Sequence, residues 1–417
     1  MNEWVNVRTW EKALTMLDDY AGARKGELGQ KQLSKGMGLI KSYMIEAQVN
    51  GINISNGSKD VSKLLETTGW DITPLDQNNI YRATTAGSFA GFIEVISSRY
   101  FVFHTLMQAK TIDQPLKKNI GDSAKLDFVW LAGNYLNLLW EILIRDQMPK
   151  RFVAFKFEHQ GRFEDISWDT QDNEDDEEVL PNNSNDDDVS LPLERRASTL
   201  SIASYVSKAA TFLPHLQEVL PDFRAIKMLR YPAPDTRGGY NFWDWGKVTY
   251  RSPSFREGRT YLHNILDLYR RATEEIERRV WFQVERNNLR DGASYFSLNG
   301  TPITFIFPEP LEQSTFENFI DTTFRRGQGP FRLWGDPIVL SERKVHIYGI
   351  DLHLWQQIYL ELTPHRFIII LPKGTCGNTV HRLVSNIQRF VSPDVQVYIG
   401  DYLYADLIRD VLLGDLD

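Results

Sequence analysis

The chain has a single cysteine, Cys376, in 417 residues. No intrachain disulfide can form, so packing alone must hold the fold, and the composition suits a reducing, cytoplasmic setting. It also lacks an unbroken apolar run of the ~20 residues that a membrane-spanning helix needs. The longest candidate, Phe128 to Ile144, is interrupted by Asn134, Asn137 and Glu141 and reads as a buried helix. No membrane partner is expected. Met1 to Trp10 carries Glu3 and has no basic segment followed by an apolar one, so no secretory signal is expected there. Two phosphate-binding fingerprints are missing as well, Gly-x-Gly-x-x-Gly and Gly-x-x-x-x-Gly-Lys-Ser/Thr. Asp351-Leu352-His353 has metal-ligand chemistry, but no second pair at a recognised spacing completes a site. The sequence names no metal and no cofactor.

What is present is enough for well-packed cores: 42% of residues are hydrophobic and 12% aromatic. The section 1–150 reads as a mainly helical domain, with Phe92, Ile93, Ile96, Tyr100, Phe103 and Met107 at helical spacing, and Leu131, Tyr135, Leu138 and Ile142 likewise. Such helices offer a surface for self-association or a protein partner. From Arg151 the period shortens. Phe152, Phe155 and Phe157 before Gly161 predict a strand or hairpin over 151–168. Residues 169–200 read as an acidic flexible linker, because Asp169 to Asp188 is dense in carboxylates and nearly free of large apolar residues. A mixed α+β middle region, 201–300, contains one clear helical stripe, Leu262, Ile265, Leu266, Tyr269, Ile276 and Val280.

Residues 301–417 read as an α/β domain with a mostly parallel, Rossmann-like sheet. Ile303–Phe307, Val345–Tyr348, Phe367–Leu371 and Val395–Ile399 read as strands. Leu352, Trp355, Tyr359 and Leu362, then Val380, Leu383, Val384, Ile387 and Val391, read as the helices between them. Ligands of such sheets bind where loops leave the strand ends. The turn Pro372 to Thr379 follows a predicted strand, and its Gly374, Thr375, Gly377, Asn378 and Thr379 could present backbone amides and hydroxyls to a nucleotide or other phosphorylated ligand, flanked by Asp351 and Asp401. Cys376 lies in this turn, and His353 or His381 would be the base of a cysteine nucleophile, although a lone cysteine is more often a small buried residue.

Charge is unevenly distributed. Between Arg224 and Arg271 there are ten basic residues against four acidic ones, interleaved with aromatic rings. Cations for phosphates and flat rings for bases are the parts of a single-strand nucleic-acid surface. Arg237, Lys247, Arg251, Arg256 and Arg259, with Trp243 and Trp245, are its expected contacts. Glu158 to Asp188 holds thirteen acids and one base, Arg162, which suggests an acidic loop that competes for the basic segment. Arg195-Arg196-Ala197-Ser198 has the form of a basic-directed kinase site. The expectation is therefore a non-enzymatic intracellular binding or assembly protein that engages nucleic acid. The alternatives are a sensor or enzyme for a phosphorylated small ligand, and a protein scaffold.

Overall fold

The computed structural model describes residues 2–29, 38–47, 63–65, 68–146, 148–159, 198–288, 294–327 and 329–414. Among these, eleven strands between Lys41 and Tyr250 form one antiparallel sheet. In chain order they are β1 (Lys41–Ala47), β2 (Asp71–Pro74), β3 (Ile80–Thr85), β4 (Ser88–Val95), β5 (Tyr100–Thr105), β6 (Leu126–Phe128), β7 (Phe152–His159), β8 (Ser198–Tyr205), β9 (Ile226–Pro232), β10 (Gly239–Trp243) and β11 (Lys247–Tyr250). In space the order is β2-β3-β4-β5-β1-β11-β10-β9-β7-β8, with β6 also on β1. The second sheet follows: β12 (Trp281–Asn288), β13 (Ser294–Asn299), β14 (Ile303–Ile306), β15 (Leu333–Ser341), β16 (Lys344–Asp351), β17 (Gln356–Thr363), β18 (Arg366–Pro372), β19 (Gln396–Ile399) and β20 (Tyr402–Leu403). Its order is β15-β16-β17-β18-β14-β19-β20, and the β12–β13 hairpin joins at β18.

The main helices are α1 (Trp10–Gly29), α2 (Ala109–Asp122), α3 (Gly133–Arg145), α4 (Val206–Val219), α5 (Phe255–Val280), α6 (Gln313–Ile320), α7 (Asn378–Phe390) and α8 (Tyr404–Leu413). The long α5 carries the chain from the first sheet to the second. Its start is fixed twice over. The Ser254 hydroxyl accepts from the Glu257 amide at 3.1 Å, and Asp18 of α1 accepts from the Phe255 and Arg256 amides at 2.7 and 3.0 Å. Arg278 and Arg279 sit in its last turn, where cations suit the helix dipole. Its buried stripe, Leu262, Ile265, Leu266, Tyr269, Ile276 and Val280, is the one expected from the sequence. One hydrophobic core runs through both sheets, from Trp4 to Val411.

The expected Rossmann-like parallel sheet is not the architecture: both sheets are antiparallel. Among the described residues the parallel pairing is the short match of β12 with β18, Trp281 to Leu371 and Phe282 to Pro372. The misreading lies at Leu352 to Leu362. Leu352, Trp355, Tyr359 and Leu362 fit a helical spacing, but Ile358, Leu360 and Leu362 point inward at every second position of strand β17. A four-residue hairpin loop, with Leu354 and Trp355 at φ 70° and 54°, then returns the chain beside β16 instead of crossing over. The mainly helical N-terminal region is corrected too. Phe92 and Ile93 lie on β4 and Tyr100 and Phe103 on β5, in strands buried on both faces that lack the alternation marking a half-buried strand. The expected strand at Phe152 and the helix around Leu138 are present. The acidic run Asp169 to Asp188 and Arg195-Arg196 lie outside the described residues. No helix among the described residues is long and apolar enough to cross a membrane.

Candidate functional site

The second sheet packs one face on α6 and α7 and leaves the other uncovered by any described element. Inward stand Val345, Ile347, Ile358, Leu360, Leu362, Phe367 and Ile369, all buried. Register fixes what stands outward. One cross-strand row is Asp336, Tyr348, Tyr359 and Ile370; the next is Ile338, His346, Glu361, Ile368, Thr304 and Tyr398; Trp334 and Ile350 form a third. An antiparallel sheet that faces water on one side usually carries polar residues there. Here Tyr348 is 64% and Trp334 48% exposed, and Ile338, Val339 and Leu340 follow on the edge strand. Tyr348 and Tyr359 meet edge to face with centroids 5.6 Å apart. They and Ile368 and Ile370 line a shallow groove of about 320 Å³ together with His346 and Glu361.

Charge on this face is sparse and internally matched. Glu361 is 2.8 Å from Lys344 and 3.0 Å from His346, and the hydrogen bond from Lys344 leads in holding its carboxyl below the usual range. Asp336 stands beside Tyr348. The outer edge, β15, contains Pro337, which lacks an N–H and blunts strand-to-strand extension. The face, not the edge, is thus the available surface.

The turn singled out from the sequence lies elsewhere, in a buried polar seam between the sheets. Gly377 donates its amide to Glu277 of α5 at 2.7 Å, and the Cys376 amide is bonded to Gln356 at 3.0 Å. An internal carboxylate therefore occupies the helix N-terminus where a phosphate was expected. Thr375 caps back on Pro372, Asn378 bonds Tyr269 and the Phe128 carbonyl, and Thr379 bonds Asp351. Gly374 has a left-handed φ of 92° at the exposed tip, and Asp401 is exposed in the β19–β20 turn.

Two ionic clusters fill this seam. Arg382, 0% exposed, joins Asp127 of the first sheet to Asp351 of the second. Burial would raise the Asp127 carboxyl, but Arg382, Arg332 and His353 outweigh it and hold the group at about 2. His353 is buried with neither ring nitrogen hydrogen-bonded, and burial drives it down to about 4. In the second cluster Arg99 bridges Glu46 at 2.5 Å and Glu277 at 2.7 Å, and the Cys376 thiol is bonded to Glu46 at 3.2 Å. Burial lifts Glu46 to about 7. Burial and the neighbouring Glu46 push the thiol well above its ordinary range, the reverse of an activated nucleophile. His381 is 3.1 Å from Thr273 and 2.6 Å from Tyr404, so it does not serve Cys376.

The seven expected nucleic-acid contacts separate. Trp243, Trp245 and Lys247 come together on the face of the first sheet that α2 packs on, where Lys247 pairs with Asp113 at 2.6 Å and lies over both rings at 5.3 and 5.6 Å. Lys117 and Lys156 join them at 4.3 Å from Trp245 and 5.8 Å from Trp243, an assembly of segments too distant in sequence to be read as one. All five residues are buried. Arg251 is buried at the end of β11. Arg259 is held by Glu94 at 2.8 Å, Arg256 by Glu11 at 2.5 Å and Asp18 at 2.9 Å, and Arg237 is exposed on the β9–β10 turn. The outward residues of the second sheet, by contrast, were not singled out. At the alternate positions that face water, Tyr348, Ile350, Tyr359, Ile368 and Ile370 are interspersed with Lys344, His346, Gln357 and Glu361, so alternation alone did not mark the face.

No solved structure matches the chain. A protein of Methanocaldococcus jannaschii, the uncharacterized protein MJECL33, is 23% identical over 399 residues, which cover 91% of this chain and 90% of that protein. The MJECL33-like protein family matches residues 7–212 and 240–405, a span that takes in both sheets and the seam between them; the chain belongs to that family.

Proposed function

We propose that the chain is a binding and assembly protein that docks a protein partner on the outward face of its second sheet. One observation carries this reading: an uncovered antiparallel face on which Trp334, Tyr348, Tyr359, Ile368 and Ile370 stand at positions usually polar. Aromatic side chains of this kind supply the large, rigid contact area that interfaces use. A cytoplasmic location fits the reading and is supported by the single, buried thiol.

The test is co-purification of the tagged full chain from its own cells, beside Tyr348→Glu. The reading expects specific protein, this chain included, to be retained by the wild type and lost from the variant at unchanged melting temperature. An identical set of retained proteins overturns it.

A further inference from the structure

We propose that the partner on this face is a second copy of the chain, stacked face to face about a twofold axis; this rests on the docking reading above. Two features favour it. The first is charge. A twofold interface brings each surface against itself, so a face of one sign would repel its copy. This face holds Asp336 and Glu361 against Lys344 and Arg366, a formal balance of zero, and Glu361 is already paired with Lys344. A partner chosen by charge, such as a polyanion or a basic peptide, finds no complementary field here.

The second is size. Six strands, β15, β16, β17, β18, β14 and β19, lie side by side. At ~4.8 Å between strands and ~3.4 Å per residue the face measures roughly 24 by 24 Å. Two such faces stacked ~10 Å apart bury on the order of 1,200 Å² in total, the lower end for a specific stable interface. Sheet-on-sheet stacking of this kind interdigitates side chains that stand perpendicular to the strands. Tyr348, Tyr359, Ile368 and Ile370 form the centre of the face, and Lys344 and Arg366 form its margin. Pro337 on β15 directs the contact to the face by weakening the competing edge-to-edge pairing.

Sedimentation equilibrium of the purified full chain tests this. The wild type is expected to dimerise reversibly, and Tyr348→Glu to raise the dissociation constant about tenfold or more. Val219→Glu, at an exposed position on α4, should leave it unchanged. An orthogonal readout uses Ile368→Cys, expected to form a disulfide-linked dimer under mild oxidation, because the native Cys376 is buried and Ile368 lies at the centre of the face. A monomer at every concentration, with no cross-link from Ile368→Cys, overturns the second-copy assignment. If a different protein still co-purifies and is lost with Tyr348→Glu, docking stands and only the occupant is wrong; if nothing is lost, both fall. Dimerisation unaffected by Tyr348→Glu also overturns the inference.

Discussion

The two sheets were made with different amounts of cover. The first carries helices on one face and α2 on the other, and its central strands β1, β5, β10 and β11 are buried at every position. The second is covered once, and β16 to β18 alternate between buried and accessible residues. Identical chemistry therefore has different consequences in each. A lysine in the first sheet is a buried charge that requires a partner; a lysine on the outward face of the second is a solvated margin. An isoleucine inside either sheet is core, and one outside the second is available surface.

The largest expected effect is at the junction that lets the two differ. Arg382→Met leaves Asp127 and Asp351 buried without their shared cation and should cost about 3–5 kcal/mol in urea unfolding. A loss below about 1 kcal/mol would show that the seam does not hold the sheets together. Next comes a matched pair of lysines. Lys247→Met strands Asp113 in the first sheet and should cost about 3 kcal/mol, whereas Lys344→Met opens an accessible pair with Glu361 and should cost less than about 1 kcal/mol. Equal losses would erase the contrast between the sheets.

The third prediction concerns pH. Burial lifts Glu46 in the folded state to about 7, from an ordinary 4.5. Between these values the unfolded chain has released its proton and the folded chain has not, so this group's contribution to stability falls by about 3 kcal/mol as pH rises through that window. His353 and His381, pushed by burial to about 4 and about 3, act in the opposite sense: their contribution is lost as pH falls below about 6.5. The difference between wild type and Glu46→Gln isolates the carboxyl. The variant should gain on the wild type from pH 5 to pH 8, as measured by urea midpoints, and parallel curves would remove the assignment. Smallest is the methylene test of sidedness. Ile347→Val, inward on β16, should cost about 1 kcal/mol, and Ile368→Val, outward on β18, almost nothing in the monomer.

Cover also explains what could be read from the sequence. Where a stripe had a single period it was readable: α5 and α7 and the strands at Phe152, Ile303, Phe367 and Val397 stand near their expected places. β4 and β5 have apolar residues at nearly all positions, because both faces are covered, and such runs match a helical stripe by accident. In β17 the sequence Gln356 to Thr363 carries alternation, but an outward Tyr359 beside inward Ile358 and Leu360 blurs it. That one segment turned a hairpin into a crossover and an antiparallel sheet into a parallel one. The turn at Gly374 to Thr379 was located before a helix, as expected, while Glu277, some hundred residues earlier in the chain, could not be foreseen as its anion. The uncovered face of the second sheet was hidden for the same reason as β17: outward apolar residues look like core until the opposite side is known.

The chain order has a consequence for synthesis. The first sheet is complete by Tyr250, yet its Asp127 waits for two cations from later in the chain, Arg332 and then Arg382 of α7 (residues 378–390). At typical elongation rates of ~5–20 residues per second that wait is on the order of ten seconds. Until Arg382 is made, Asp127 has at most one of the two cations that meet it in the folded chain. The Arg382 bridge between Asp127 and Asp351 is thus a contact between the sheets that the chain can make only once nearly all of it has been synthesised.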